Sequence, residues 1–159
     1  MSADAGARDP EARLAELGFP LPDVAAPVAE YVPAVRTGDH VYTSGQLPFS
    51  DGHLLATGLV GGEVDVEQAT ACARQCALNA LAAVKAEVGS LARVRWVVKV
   101  VVYVASAPDF TAQPQVANGA SALLGAVFGD AGKHARSAVG VAQLPLGAPV
   151  ELELIVEVD

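Results

Sequence analysis

Two residues near the C-terminal end are suited to handling a small organic acid. Arg136 opens one apolar run and Glu151 opens the next, fifteen positions further on. A guanidinium is a planar, two-pronged donor that fits a carboxylate, and lysine does not reproduce that fork. A glutamate brought beside it supplies an acid/base group that positions water and moves a proton. A plainer reading of the same residues also exists. Arg136 would cap a helix-to-strand junction, and Glu151 would be one of the outward acids of an alternating strand, with Glu153 and Glu157 on its face.

The other reactive residue types point to no metal. Cys72 and Cys76 are the only cysteines and stand four apart on an expected helix with no histidine near them. Two ligands do not complete a zinc site, so they read as small buried thiols. His40, His53 and His134 are spread along the chain without metal-ligand spacing, and structural roles are expected for them.

Composition narrows the partners. The 159 residues are enough for one domain with an ordinary core. Hydrophobic residues make up 52% of the chain but aromatics only 5%, so the core must be built from Val, Leu and Ala. Eighteen acids against ten bases give a net charge of −8. That charge repels phosphate backbones and argues against binding to nucleic acid or to an anionic membrane. Residues 1–9 are small, polar and acidic, and no apolar run is long enough to span a bilayer, so a cytoplasmic location is the expectation.

The elements that must carry these residues can be read in order. Asp9, Pro10 and Gly18 bracket a short helix, and Pro20, Pro22 and Pro27 then impose an irregular surface arm. Residues 31–36 and 40–46, joined through Thr37, Gly38 and Asp39, read as a hairpin. Another turn at 50–52 and a short strand at Leu54 and Leu55 follow. Asp65 with Gln68 opens the longest helix as a capping box and Gly89 closes it. Ala69, Cys72, Ala73, Cys76, Ala80, Ala83 and Val84 form a stripe of small residues along it. Residues 94–104 are expected to be the central strand, with the even positions Val94 to Val104 under the helices. Its odd face, including Lys99 and Tyr103, is expected to meet another subunit. Asp109 or Thr111 is expected to cap a second helix ending near Val127, and strands follow at about 137–144 and 150–158. The order specifies an α+β domain with two helices on one face of a sheet.

Whether Arg136 and Glu151 can share a site depends on the last two strands. As a simple antiparallel hairpin they would hold the two residues roughly 20 Å apart. The pair could instead meet across a subunit boundary. They could also meet if the linker crossed back so that both strands flanked the central one and started at the same end. Residues 143–149 reach about 20 Å when extended, so that second route is open.

The runs Thr43-Ser44-Gly45-Gln46-Leu47-Pro48, Ala135-Arg136-Ser137, Leu144-Pro145 and Val150-Glu151-Leu152-Glu153, in this order and spacing, resemble the RidA (YjgF) family of reactive-intermediate deaminases. The likeness covers about residues 27–158, with 1–26 as an N-terminal helix and Pro-rich arm before the RidA/YjgF-like domain at 27–159. It implies a chorismate-mutase-like fold, a homotrimer and ligand clefts between subunits. It also implies that Arg136 holds the carboxylate of a 2-imino acid. Glu151 would then serve the water that hydrolyses it to a 2-oxo acid and ammonia. Tyr31, Ser44, Gly45, Ser137, Ala138 and Asn118 would line the substrate cleft, and no metal or organic cofactor is required.

Three features depart from the family pattern: Ala138 stands where many members carry cysteine, a helix and Pro-rich arm precede Tyr31, and the approach to the second helix through Pro108 and Pro114 is longer. Two other readings therefore stand beside the deaminase. One is a small-carboxylate-binding or regulatory module with little turnover. The other is an endoribonuclease, which the net charge of −8 disfavours.

Overall fold

The computed structural model describes residues 9–24 and 29–159. Pro27 and the boundary between residues 26 and 27 lie outside them. A five-stranded mixed sheet is built from β1 (Ala34–Thr37), β2 (His40–Thr43), β5 (Val94–Ala105), β6 (Ala135–Val141) and β7 (Val150–Val158), in the order β1-β2-β7-β5-β6. β3 (Phe49–Ser50) and β4 (His53–Leu54) form a separate small hairpin. Helices α2 (Val66–Val88) and α3 (Gln113–Phe128) pack on the sheet, and α1 (Pro10–Glu16) precedes them.

The strongest local signals produced what they imply. Asp65 accepts from the Gln68 amide at 2.8 Å while the Gln68 side chain accepts from the Asp65 amide at 3.1 Å. Gly89 ends α2 at φ 91°. Every residue of the small stripe, from Ala69 to Val84, is buried. Small residues allow backbones to approach closely. At Gly119 of α3 an added methyl would run into the Thr70 carbonyl of α2 and lie 2.9 Å from the Thr70 side chain. The two helices are therefore locked at a spacing only glycine permits.

The second helix starts differently from expectation. Neither Asp109 nor Thr111 caps it; Ala112 is the N-cap and no side chain bonds to the exposed amides. Pro114 in the first turn sets the backbone there instead.

β5 also departs from the simple alternation. Its register against β7 skips a residue between Val94 and Trp96 and again between Val97 and Lys99. Each extra residue exchanges the two faces of the strand. Val97 is therefore buried, although its odd number assigned it outward, and Trp96 is 43% exposed. Its indole Nε1 donates to the Lys133 carbonyl at 2.7 Å. Beyond the second bulge the alternation holds: Val100, Val102 and Val104 are buried, and Lys99, Val101 and Tyr103 face away from the helices. The middle strand of the sheet is β7, with β5 beside it.

α1 and the described residues just after it are tied down. Leu14 of α1 is fully buried in the common core, which is worth about 1.5–3 kcal/mol for such a side chain. Glu11 accepts from Lys85 Nζ at 2.7 Å and from the Leu91 amide at 3.2 Å. Arg13 Nε donates to the Ala126 carbonyl of α3 at 3.1 Å. Beyond the helix, Arg74 lies over the Phe19 ring at 4.7 Å, a cation–π contact. Among the described residues no helix is long and apolar enough to cross a membrane.

Candidate functional site

Arg136 and Glu151 flank the same strand but do not meet within one chain. Arg136 pairs with Val100 on β5, and Glu151 pairs with Tyr103 on the opposite side of that strand. Paired residues share a face. Val100 is buried beneath the helices, while Tyr103 belongs to the other face. Arg136 and Glu151 thus lie on opposite faces. They are separated by three positions along β5 and two strand spacings, on the order of 14 Å between Cα atoms. β6 runs parallel to β5 and β7 antiparallel to it. That excludes both the hairpin and the arrangement in which the two strands start at one end.

Each residue instead stands in a cluster of its own. Around Arg136, Nη1 donates to Asn118 Oδ1 at 2.8 Å and to Ser121 Oγ at 3.2 Å. Both partners stand on α3, three residues apart and so on one face of the helix. Both Nη1 hydrogens are thereby used. Among the described residues, Nε and Nη2 make no hydrogen bond, and this edge is the one that grips a carboxylate with two parallel bonds. Ala138 lies on the same face of β6 as Arg136 and packs against the core. Ser137 points to the other face, where Lys99 Nζ donates to its hydroxyl at 3.2 Å.

The second cluster is built around Glu151. The Gln46 amide donates to the Leu152 carbonyl at 2.7 Å and the Leu152 amide to the Gln46 carbonyl at 3.0 Å. This draws Gly45 against Glu151. A methyl group on residue 45 would overlap Oε1 and lie 2.9 Å from Cδ, so the carboxylate occupies the space a side chain would take. Ser44 in turn holds the preceding segment: its hydroxyl donates to the Val32 carbonyl at 2.6 Å and its amide to the Pro33 carbonyl at 2.8 Å. Tyr31 stands at the end of that segment, 55% exposed.

Burial, and next the neighbouring Glu153 carboxylate, push the Glu151 carboxyl above the ordinary glutamate value. Glu153 accepts from the Tyr103 hydroxyl at 3.1 Å. Burial and then that bond raise the phenol in turn.

The remaining candidates are structural. Burial raises Cys72 to about 11 and also pushes Cys76 well up, so neither thiol is poised to react. Among the described residues no group of three or more His, Cys, Asp or Glu could hold a metal ion. A cavity of about 850 Å³ lies between residues 18–24, the β3–β4 hairpin and α2, and reaches neither Arg136 nor Glu151. Two residues that sequence reasoning did not assign to the site, Ser121 and His134, belong to the Arg136 cluster: Ser121 Oγ lies 2.9 Å from His134 Nε2.

Comparison with known proteins decides the family. The model of the family described as Endoribonuclease L-PSP matches residues 23–158. The chain belongs to this family, YjgF/RidA. Its α+β fold is that of solved YjgF/RidA proteins. The crystal structure of the protein Atu1372 of unknown function from Agrobacterium tumefaciens superposes with a TM-score of 0.89 at 48% identity, covering 96% of this chain and 94% of that one. Protein TCP17 of Trypanosoma cruzi is 48% identical across 93% of both chains. A 2-iminobutanoate/2-iminopropanoate deaminase of Dermatophagoides farinae is 34% identical across 84% of this chain and 89% of its own. The family and fold expected from the motifs are thus established. Among these YjgF/RidA relatives, the one named for an activity is the more distant in sequence.

Proposed function

We propose that this protein hydrolyses 2-imino acids to 2-oxo acids and ammonia in clefts between the subunits of a homotrimer. The observation that carries the reading is the division of the site into two halves, each complete in itself. One half holds a tethered guanidinium whose carboxylate-binding edge makes no hydrogen bond among the described residues. The other holds a glutamate seated over a glycine, with its proton affinity raised. A neighbouring copy that set its Arg136 face against the Glu151 face would bring clamp and base together. The name of the 34%-identical deaminase supports the same chemistry.

In this scheme the substrate carboxylate docks on Nε and Nη2 of Arg136, which holds C2 of the imine still. Glu151 takes a proton from water as its oxygen adds to C2. In the resulting tetrahedral adduct Glu151 returns that proton to the nitrogen, the hydroxyl proton also passes to nitrogen as the C2=O bond forms, and the C–N bond breaks to release ammonia and the 2-oxo acid. The imine is already activated, so orientation and one proton carrier provide the required catalysis.

The test generates 2-iminopropanoate in situ with an amino-acid oxidase and follows its disappearance. Wild-type protein should accelerate the loss, Arg136→Ala should match buffer, and Glu151→Gln should be slowed by about 10²- to 10³-fold. If wild type also matches buffer, the protein is a carboxylate-binding module instead. A surface of net charge −8 fits the ribonuclease activity in the family description poorly.

A further inference from the structure

The geometry points to His134 and Ser121 as positioning residues that aim the Arg136 guanidinium at the substrate carboxylate. The inference rests on the reading of Arg136 as the carboxylate clamp. It deepens that reading by naming what fixes the clamp.

The argument follows from which atoms can donate. His134 Nδ1 lies 2.6 Å from the Gly132 carbonyl. A carbonyl only accepts, so Nδ1 carries a proton. In neutral imidazole the other nitrogen, Nε2, is then an acceptor, and its neighbour at 2.9 Å is the Ser121 hydroxyl. Ser121 has one proton, and His134 takes it. What Ser121 presents to Arg136 Nη1, 3.2 Å away, is therefore lone pairs.

The donors run in one sense, from Arg136 to Ser121, from Ser121 to His134 and from His134 to the Gly132 carbonyl, an arrangement in which each bond strengthens the next. The chain ends on a fixed point. Gly132 is buried against α3, where an added methyl would collide with the Leu124 carbonyl and lie 3.1 Å from Gly125. Asn118 Oδ1 takes the other Nη1 hydrogen. With both hydrogens engaged, rotation of the guanidinium plane is blocked and its Nε–Nη2 edge keeps one direction. Without the Ser121 contact, one bond to exposed Asn118 would remain.

Two signatures test the chain independently of any activity. Two-bond 1H–15N spectra of the neutral imidazole should show the His134 proton on Nδ1. A proton on Nε2 overturns the proposal. The Arg136 Nη1 protons should rotate and exchange slowly in wild type and lose that protection in Ser121→Ala; unchanged protection overturns it too. Alanine is a better helix former than serine, so Ser121→Ala is expected to fold.

Titration calorimetry then compares pyruvate with pyruvamide, which lacks the carboxylate. Ser121→Ala should weaken pyruvate about tenfold, leave pyruvamide unchanged and be restored by Ser121→Thr. Equal weakening of both ligands would mean general damage to the cleft and would overturn the proposal. If wild type gave both spectroscopic signatures but bound neither ligand, the carboxylate-clamp reading would fall, while the hydrogen-bond chain that fixes the guanidinium would stand.

Discussion

Gly45 is the residue at which backbone and chemistry are hardest to separate. Glu151 lies where a side chain at position 45 would be, so Gly45→Ala should push the carboxylate aside without unfolding an exposed turn. A displacement of about 1 Å at a reacting group costs on the order of 100-fold. We expect kcat/KM for 2-iminopropanoate to fall by about that factor while the circular dichroism spectrum stays unchanged; retained activity would show that Glu151 can act from elsewhere. At this scale the sequence was informative about residue type and silent about direction. Arg136, Glu151 and Gly45 are recognisable because their chemistry or compactness is what the site needs. Their faces depend on which strand lies beside them, and that is a tertiary fact. Ser121 carried a usable signal: it stands three residues after Asn118, on the same side of a helix. The lone His134 carried none.

The two ends of α2 were legible and the phase of β5 was not, for the same reason. A cap is settled within four residues, as at Asp65 and Gln68. A bulge is settled by a partner strand, as when Arg95 and Val98 are skipped in the pairing of β5 with β7. The attachment of α1 can be tested on its own. The Lys85 hydrogen bond, against some burial, holds the Glu11 carboxyl below its ordinary 4.5. A lowered folded value means that Glu11 adds stability above the unfolded value and loses it as pH falls through the folded one. Water partly screens the pair, since Lys85 is 43% exposed. Glu11→Gln should therefore cost about 0.5–1 kcal/mol at neutral pH, a fall in Tm of about 1–4 °C in a chain of this size. The gap between mutant and wild type should close in acid. A gap that persists once pH has fallen well below the lowered folded value of Glu11 would assign the loss to packing.

The whole molecule presents an unfinished surface. In register across all five strands, Val35, Tyr42, Ile155, Lys99 and Ala135 face away from the helices, and Val35 and Tyr42 are 52% and 45% exposed. Such a face calls for a covering layer, which the proposed trimer supplies. Mixing Arg136→Ala with Glu151→Gln protein after dissociation and reassembly tests where the cleft is. If each cleft takes its arginine from one chain and its glutamate from the next, random trimers regain about a quarter of wild-type activity. If both come from one chain, nothing returns. Light scattering that showed only monomers would remove the cleft altogether.

Trp96 gives this molecule a built-in optical probe. It is the single indole in the chain, 43% exposed and bonded to the carbonyl of Lys133, the residue immediately before His134. Emission excited at the indole band therefore reads the approach to β6 without any label. Loading the arginine edge with pyruvate should shift or quench that emission in wild type and leave it unaltered in Arg136→Ala.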